Sequence, residues 1–226
     1  MGAEQLVELP TFSTGRGAAW RAQLRASPMT LAMLLVTLVV TLLTRFGNNI
    51  ELDRWLAFVD FRVVGDQLYF LPPGHNLTQA WRLFSPMLLH FGVLHLAMNG
   101  LWYWELGRRI EYRHNGWVLL GLTLVFSLAS NIVQYRYFGP ALFGGLSGVL
   151  YGLLGYCWIL QKFAPHPAVA LPTAVVAMML VWLLICLTGA MGTLGLGQIA
   201  NGAHVGGLVA GCLAGALVGL FARARR

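Results

Sequence analysis

Polar residues are scarce along this chain, and the apolar stretches between them lay out its elements. The apolar runs are Met29 to Thr44, Gly92 to Ile110, Trp117 to Tyr135, Ser147 to Gln161, Leu171 to Thr188 and Ala200 to Phe221. They are apolar nearly all round, which is what a helix needs when lipid replaces water around it. The pattern therefore predicts six membrane helices. Residues 45–91 form one long connection carrying Glu51, Asp53, Asp60 and Asp66. It also holds the apolar stretch Trp55-Leu56-Ala57-Phe58-Val59, which predicts short amphipathic helices lying in the interface. Residues 1–27 read as a short polar tail, 28–222 as the helical domain, and 223–226 as a basic C-terminus. The expected fold is an all-α integral membrane protein, a six-helix bundle with a long outer loop between helices one and two.

Composition supports this class. Hydrophobic residues make up 58% of the chain and charged residues 10%, against about 25% charged in a soluble domain. The net charge of +7 in a soluble protein would raise nucleic acid as a partner. Here the basic residues flank apolar runs, so the charge reads as topology, with no nucleic acid involved. Ten of the basic residues (Arg16, Arg21, Arg25, Arg108, Arg109, Arg113, Lys162, Arg223, Arg225 and Arg226) fall on one side of the predicted spans. The other side has five: Arg45, Arg54, Arg62, Arg82 and Arg136. The excess predicts both termini in the cytoplasm. No cleavable signal peptide is apparent before the first run. Cys157, Cys186 and Cys212 lie inside apolar runs with no metal-ligand spacing and no disulfide framework, and read as packing residues.

Three polar features interrupt the apolar runs: His95 and Asn99 in helix two, Gly145-Leu-Ser147-Gly148 at the start of helix four, and Ala203-His204 near the start of helix six. Singly, each has an ordinary reading as close packing or as a hydrogen bond between helices. Depth joins them. Ser147 stands about 22 Å from Lys162, His204 about 28 Å from Arg223 and His95 about 20 Å from Arg108 at 1.5 Å per residue. In a hydrocarbon core about 30 Å thick, all three lie in the outer half. Gly148, Gly152 and Gly155 make a smooth strip on helix four, and Gly207, Gly211 and Gly215 make one on helix six. Facing strips of this kind bring helices close. Helix four is too short to cross alone, so irregular backbone must complete its crossing beside protein or a water-filled cavity.

The chemistry these residues allow is acyl transfer. A serine hydroxyl needs a base, and His204 is the histidine of helix six. No carboxylate stands near, which points to a Ser–His dyad. Tyr151 lies one turn after Ser147 and is placed to orient the imidazole. Ser147 begins a helix, where free backbone N–H groups favour negative charge. His95 and Asn99 share a face and offer side-chain donors to an oxyanion.

Three stretches carry a resemblance. "HFGVLHLAMNGLWYWELGRRIE" preceded by Trp81-Arg82, "FGGLSGVLYGLLGY" and "ANGAHVGGLVAG" resemble the second, fourth and sixth helices of bacterial rhomboid proteases of the GlpG type. The likeness runs over roughly residues 81 to 222. It implies an intramembrane serine endopeptidase of the bacterial inner membrane, cleaving transmembrane protein substrates near the outer face with no metal or cofactor. It implies Ser147 as nucleophile, forming an acyl-enzyme, with His204 as base and Tyr151 stacked upon it. His95, Asn99 and the Ser147 amide would bind the oxyanion. Gly145 would keep the approach open, with Gly148 supporting it. Trp81 and Arg82 would belong to a loop in the outer leaflet, Glu111 would lock the end of helix two, and substrate would pass between helices two and five. Pro86 stands where such relatives often have a histidine, and the N-terminal tail is short. A client-binding relative without activity usually lacks the Ser or the His, and both are present here. The outer loop from Gly189 to Gly197, with helix five, is the candidate gate.

Overall fold

The computed structural model describes residues 16–71, 77–189 and 199–225. Its long helices follow the apolar runs closely. Helix α1 covers Arg16–Arg25 and α2 covers Pro28–Leu43. A short α3, Ile50–Leu56, opens the long connection. Then come α4 (Val93–Arg113), α5 (Gly116–Phe138), α6 (Ser147–Phe163), α7 (Thr173–Leu187) and α8 (Asn201–Ala224). Among the described residues, three segments are long and apolar enough to cross a membrane: Gly116–Phe138, Pro167–Leu187 and Asn201–Ala224. Pro28–Leu43 is a shorter apolar helix. Leu35, Val125, Leu184 and Leu213 are among the large apolar side chains that face outward, as expected where the surrounding medium is itself apolar.

Helix α6 is the centre. Nearly every side of it is buried from Gly148 to Cys157, against α4, α5 and above all α8. Glycine makes the last contact possible. A Cβ on Gly207 would collide with the carbonyl oxygen of Gly148, and one on Gly211 with that of Gly152. A Cβ on Gly155 would lie 2.7 Å from the Leu208 carbonyl oxygen. The two helices thus meet backbone to backbone, and any side chain at these points would force them apart.

Glu111 ties the start of α2 to the end of α4. Its carboxylate accepts from Met29 N and Thr30 N, both at 2.8 Å, and from Thr30 Oγ1 at 2.7 Å. These are orphan donors of a helix N-terminus answered by an anion, which is favourable in both hydrogen bonding and charge. The lock that the resemblance implies is therefore present in the geometry.

The long connection differs from the expected string of amphipathic helices. Among its described residues, only α3 is an α-helix. Phe61–Val64 (β1) and Gln67–Phe70 (β2) make an antiparallel hairpin, registered Phe61 to Phe70 and Val64 to Gln67. Gly65 and Asp66 form its two-residue turn, with Gly65 at φ 62°. Two short 3₁₀ segments, Leu77–Leu83 and Ser85–Leu88, lead to α4. Arg82 anchors the connection by donating to the carbonyls of Arg54 at 2.6 Å and Ala57 at 2.9 Å. The Trp81 indole donates to Trp55 O at 3.1 Å and stacks on the Trp55 ring. Arg54 pairs with Asp60 at 2.6 Å. Burial pushes the Asp60 carboxyl up, but the bond to Arg54 and its charge outweigh this and hold it below the usual range. Asp53 is the opposite case. It is buried, neither carboxylate oxygen has a partner among the described residues, and burial pushes it up to about 6.

The polar tail is described only from Arg16 onward. Its described part is helical, as α1, and the Trp20 ring packs on Trp104 of α4. The proposed gate loop lies largely outside the described residues, which resume at Ile199.

Candidate active site

Ser147 is the first residue of α6, and the loop before it is tightly held. Gly145 has φ 110°, a left-handed conformation that favours glycine, and its N–H donates to Pro86 O at 3.0 Å. A Cβ there would stand 2.7 Å from His95 Nε2. Gly145 is thus required twice, once by its backbone and once by the imidazole beside it. The next amide, Leu146 N–H, donates to His90 Nε2 at 3.4 Å. His90 is fully buried, and its Nδ1 faces Leu88 O at 3.2 Å. Those two bonds agree with one neutral tautomer, Nδ1 protonated and Nε2 accepting.

His204 lies in the first turn of α8 and is almost wholly buried. Its Nε2 is 2.8 Å from Ser147 Oγ. Nδ1 is buried and has no hydrogen-bond partner among the described residues. The Tyr151 ring lies against the imidazole, centroids 4.9 Å apart and planes tilted by 41°. Tyr151 Oη donates to Met179 O in α7 at 3.0 Å, which holds the ring from the far side. The glycine contact of α6 and α8 accounts for the short Ser147–His204 distance. Gly207, one turn after His204, sits on the Gly148 carbonyl, one residue after Ser147.

His95 and Asn99 occupy the neighbouring face of α4. The rings of His95 and His90 are 4.9 Å apart. Asn99 is buried, its Nδ2 donates to His95 O at 2.8 Å, and its Oδ1 has no partner among the described residues. A small cavity opens beside Ser147 on the α5 side, bounded by Ser127, Ser130, Asn131 and Gly145 among others. Ser130 Oγ is buried there without a partner among the described residues. No group of three or more His, Cys, Asp or Glu suited to a metal occurs among the described residues.

Every sequence-derived site residue therefore falls at one end of the α4–α6–α8 contact. Three contributors were given no role by sequence reasoning: His90 on the Leu146 amide, Gln134 Oε1 accepting Ala203 N at 3.1 Å, and the Pro86 carbonyl on Gly145. His90 was visible only as a motif position. Gln134, a polar residue inside an apolar helix, was the one available signal. The Pro86 carbonyl carries no side-chain signature at all.

At this end of the bundle a serine hydroxyl lies within hydrogen-bond distance of a buried imidazole, on helices that meet through glycine, and among the described residues no partner stands on the other nitrogen of that imidazole. The Rhomboid domain family model matches residues 77–221, and the chain belongs to the Rhomboid family. It is 38% identical over 84% of its length to Rhomboid protease GlpG of Pectobacterium atrosepticum, covering 62% of that protein. It is 36% identical over 82% of its length to the GlpG of Klebsiella pneumoniae, covering 61%, and 37% over 84% to that of Serratia proteamaculans, covering 62%. The chain thus spans about three-fifths of the length of these curated relatives.

Proposed function

We propose that this chain is an intramembrane serine endopeptidase that cleaves transmembrane proteins near the periplasmic face of the bacterial inner membrane. The observation that carries the proposal is the 2.8 Å contact of Ser147 Oγ with His204 Nε2. Residues 28–222 would form the protease domain, with α2, α4, α5, α6, α7 and α8 as its six membrane helices. Helix α6, at 17 residues, would re-enter the bilayer, and the Gly139–Leu146 segment would complete its crossing. The basic excess at the Glu111 end supports cytoplasmic termini.

In this reading His204 Nε2 takes the Ser147 proton as Oγ attacks the scissile carbonyl carbon. The carbonyl oxygen becomes an oxyanion. The Ser147 amide at the start of α6, the second amide hydrogen of Asn99 and the His95 ring surround its place. The imidazolium returns the proton to the leaving nitrogen, the C–N bond breaks, and Ser147 carries the acyl group. Water then attacks the ester, giving its proton to His204, which passes it back to Ser147 Oγ as the acid product leaves. The polar cavity lined by Ser127, Ser130 and Asn131 supplies a place for that water. With no acid on Nδ1, orientation of the imidazole falls to Tyr151. Helix α7 packs sparsely on the rest of the bundle, α8 being its main contact, which supports passage of substrate between α4 and α7.

The test is covalent labelling of the detergent-purified protein with a fluorophosphonate, together with cleavage of a single-span membrane substrate. Wild type should label and cleave, and Ser147→Ala and His204→Ala should do neither. Equal labelling of Ser147→Ala would refute the nucleophile. Labelling absent in wild type, with the substrate bound but uncut, would favour a client-binding role.

A further inference from the structure

Helix α1 has no part in the chemistry above, yet it is placed with care. It carries Arg16, Arg21 and Arg25 and no acidic residue. Arg21 and Arg25 are four apart on one face, and both are exposed. Trp20 and Leu24 are four apart on the adjoining face. The Trp20 ring meets Trp104 at 5.3 Å between centroids and still leaves 51% of the residue exposed. Trp104 directly precedes Glu105, so the indole pair stands near the middle of α4, where its charged half begins.

The acids at that end are already engaged. Glu105 holds Arg108 and Arg109, the latter also through a 2.7 Å bond from Nε. Glu111 is committed to the start of α2. Neither Arg21 nor Arg25 forms an ion pair among the described residues, and Arg113 Nε is buried there with no partner. Positive charge is left unanswered beside an indole pair of which Trp20 is exposed and Trp104 half-buried, and in the proposed orientation it lies on the cytoplasmic side of the spans. Tryptophan at the interface and arginine beside it together fit one kind of occupant, a headgroup with negative charge above an acyl chain.

We infer that α1, through Arg21, Arg25 and the Trp20–Trp104 pair, binds anionic phospholipid headgroups of the cytoplasmic leaflet. The assignment of leaflet rests on the orientation proposed above. The protein's membrane helices already anchor it, so α1 supplies lipid selectivity and not attachment. Because only Ala26 and Ser27 separate α1 from α2, a lipid held there also braces the helix start that Glu111 caps.

The experiment titrates the full chain in neutral detergent with short-chain phosphatidylglycerol, phosphatidylcholine and inorganic phosphate, reading affinity by thermophoresis. Wild type should bind phosphatidylglycerol in preference to both others. The double variant R21Q/R25Q should weaken that binding about thirtyfold, two basic residues each contributing roughly fivefold. R21K/R25K should stay close to wild type, as should R223Q/R225Q at the far end of α8. Retained fluorophosphonate labelling will show that R21Q/R25Q is folded. Equal phosphatidylglycerol affinity in R21Q/R25Q and wild type overturns the surface, and so does saturation by inorganic phosphate as tight as by lipid. An N-terminal tag reactive from outside intact spheroplasts overturns the leaflet assignment and the proposed orientation with it, while the detergent titration reads the surface independently.

Discussion

Two hydrogens sit on the amide nitrogen of Asn99, and one is committed to the His95 carbonyl at 2.8 Å. In the proposed mechanism only the second would be free to meet an oxyanion, with the backbone amide of Ser147 sharing that task. Asn99→Ala should therefore lower kcat by about 10²-fold, near the lower limit for loss of one such donor, while leaving KM little changed. Steady-state cleavage in detergent checks this, and an unchanged kcat would remove Asn99 from the site. Residue chemistry was the most legible level of the sequence. Ser147, His204, Tyr151, His95 and Asn99 are polar or aromatic positions in or beside apolar runs, where such groups are costly and mark function. His90 and Gln134 escaped because their work is to satisfy backbone amides that only the folded loop brings to them.

At the scale of elements, the contact of α6 with α8 makes a sharp contrast between glycines. Gly211 faces the Gly152 carbonyl with no room for a methyl group, whereas Gly121 in α5 has nothing within 4 Å of its would-be Cβ. Gly211→Ala should destabilise the protein by about 1–3 kcal/mol through overpacking. Gly121→Ala should be neutral or stabilising by up to about 1 kcal/mol, because alanine is the better helix former. Thermal midpoints in one detergent compare them, and equal effects would contradict the backbone-to-backbone contact. The strips themselves were readable as small residues at four-residue spacing, and so were the helix limits. The hairpin was not foreseen, although Gly65-Asp66 between Phe61–Val64 and Gln67–Phe70 is a turn signal of the usual kind. A reading tuned to long apolar runs passes over strands of four residues. Helix α1 was hidden for another reason: its stretch lacks an apolar stripe of helical length.

For the molecule as a whole, Asp53 reports on the outer connection. Its carboxyl is raised to about 6 from 3.8 by burial. The folded state therefore binds the proton more tightly than the unfolded state, and this contribution to stability declines as pH rises through that window. Asp53→Asn should be more stable than wild type by about 1–3 kcal/mol near pH 7, with the gain vanishing below about pH 4. Thermal melts of both proteins across that range decide it, and a pH-independent difference would locate the effect elsewhere. Helix α7 offers the last consequence. Among the described residues, two side chains from other helices hold its carbonyls: Tyr151 on Met179 O at 3.0 Å and Asn201 on Cys186 O at 2.9 Å. The first of these rests on the His204 ring, and the second stands three residues before it. In the proposed mechanism an outward swing of α7 to admit substrate must stretch or break both tethers, so opening that door would loosen the hold on the imidazole just as a substrate arrives.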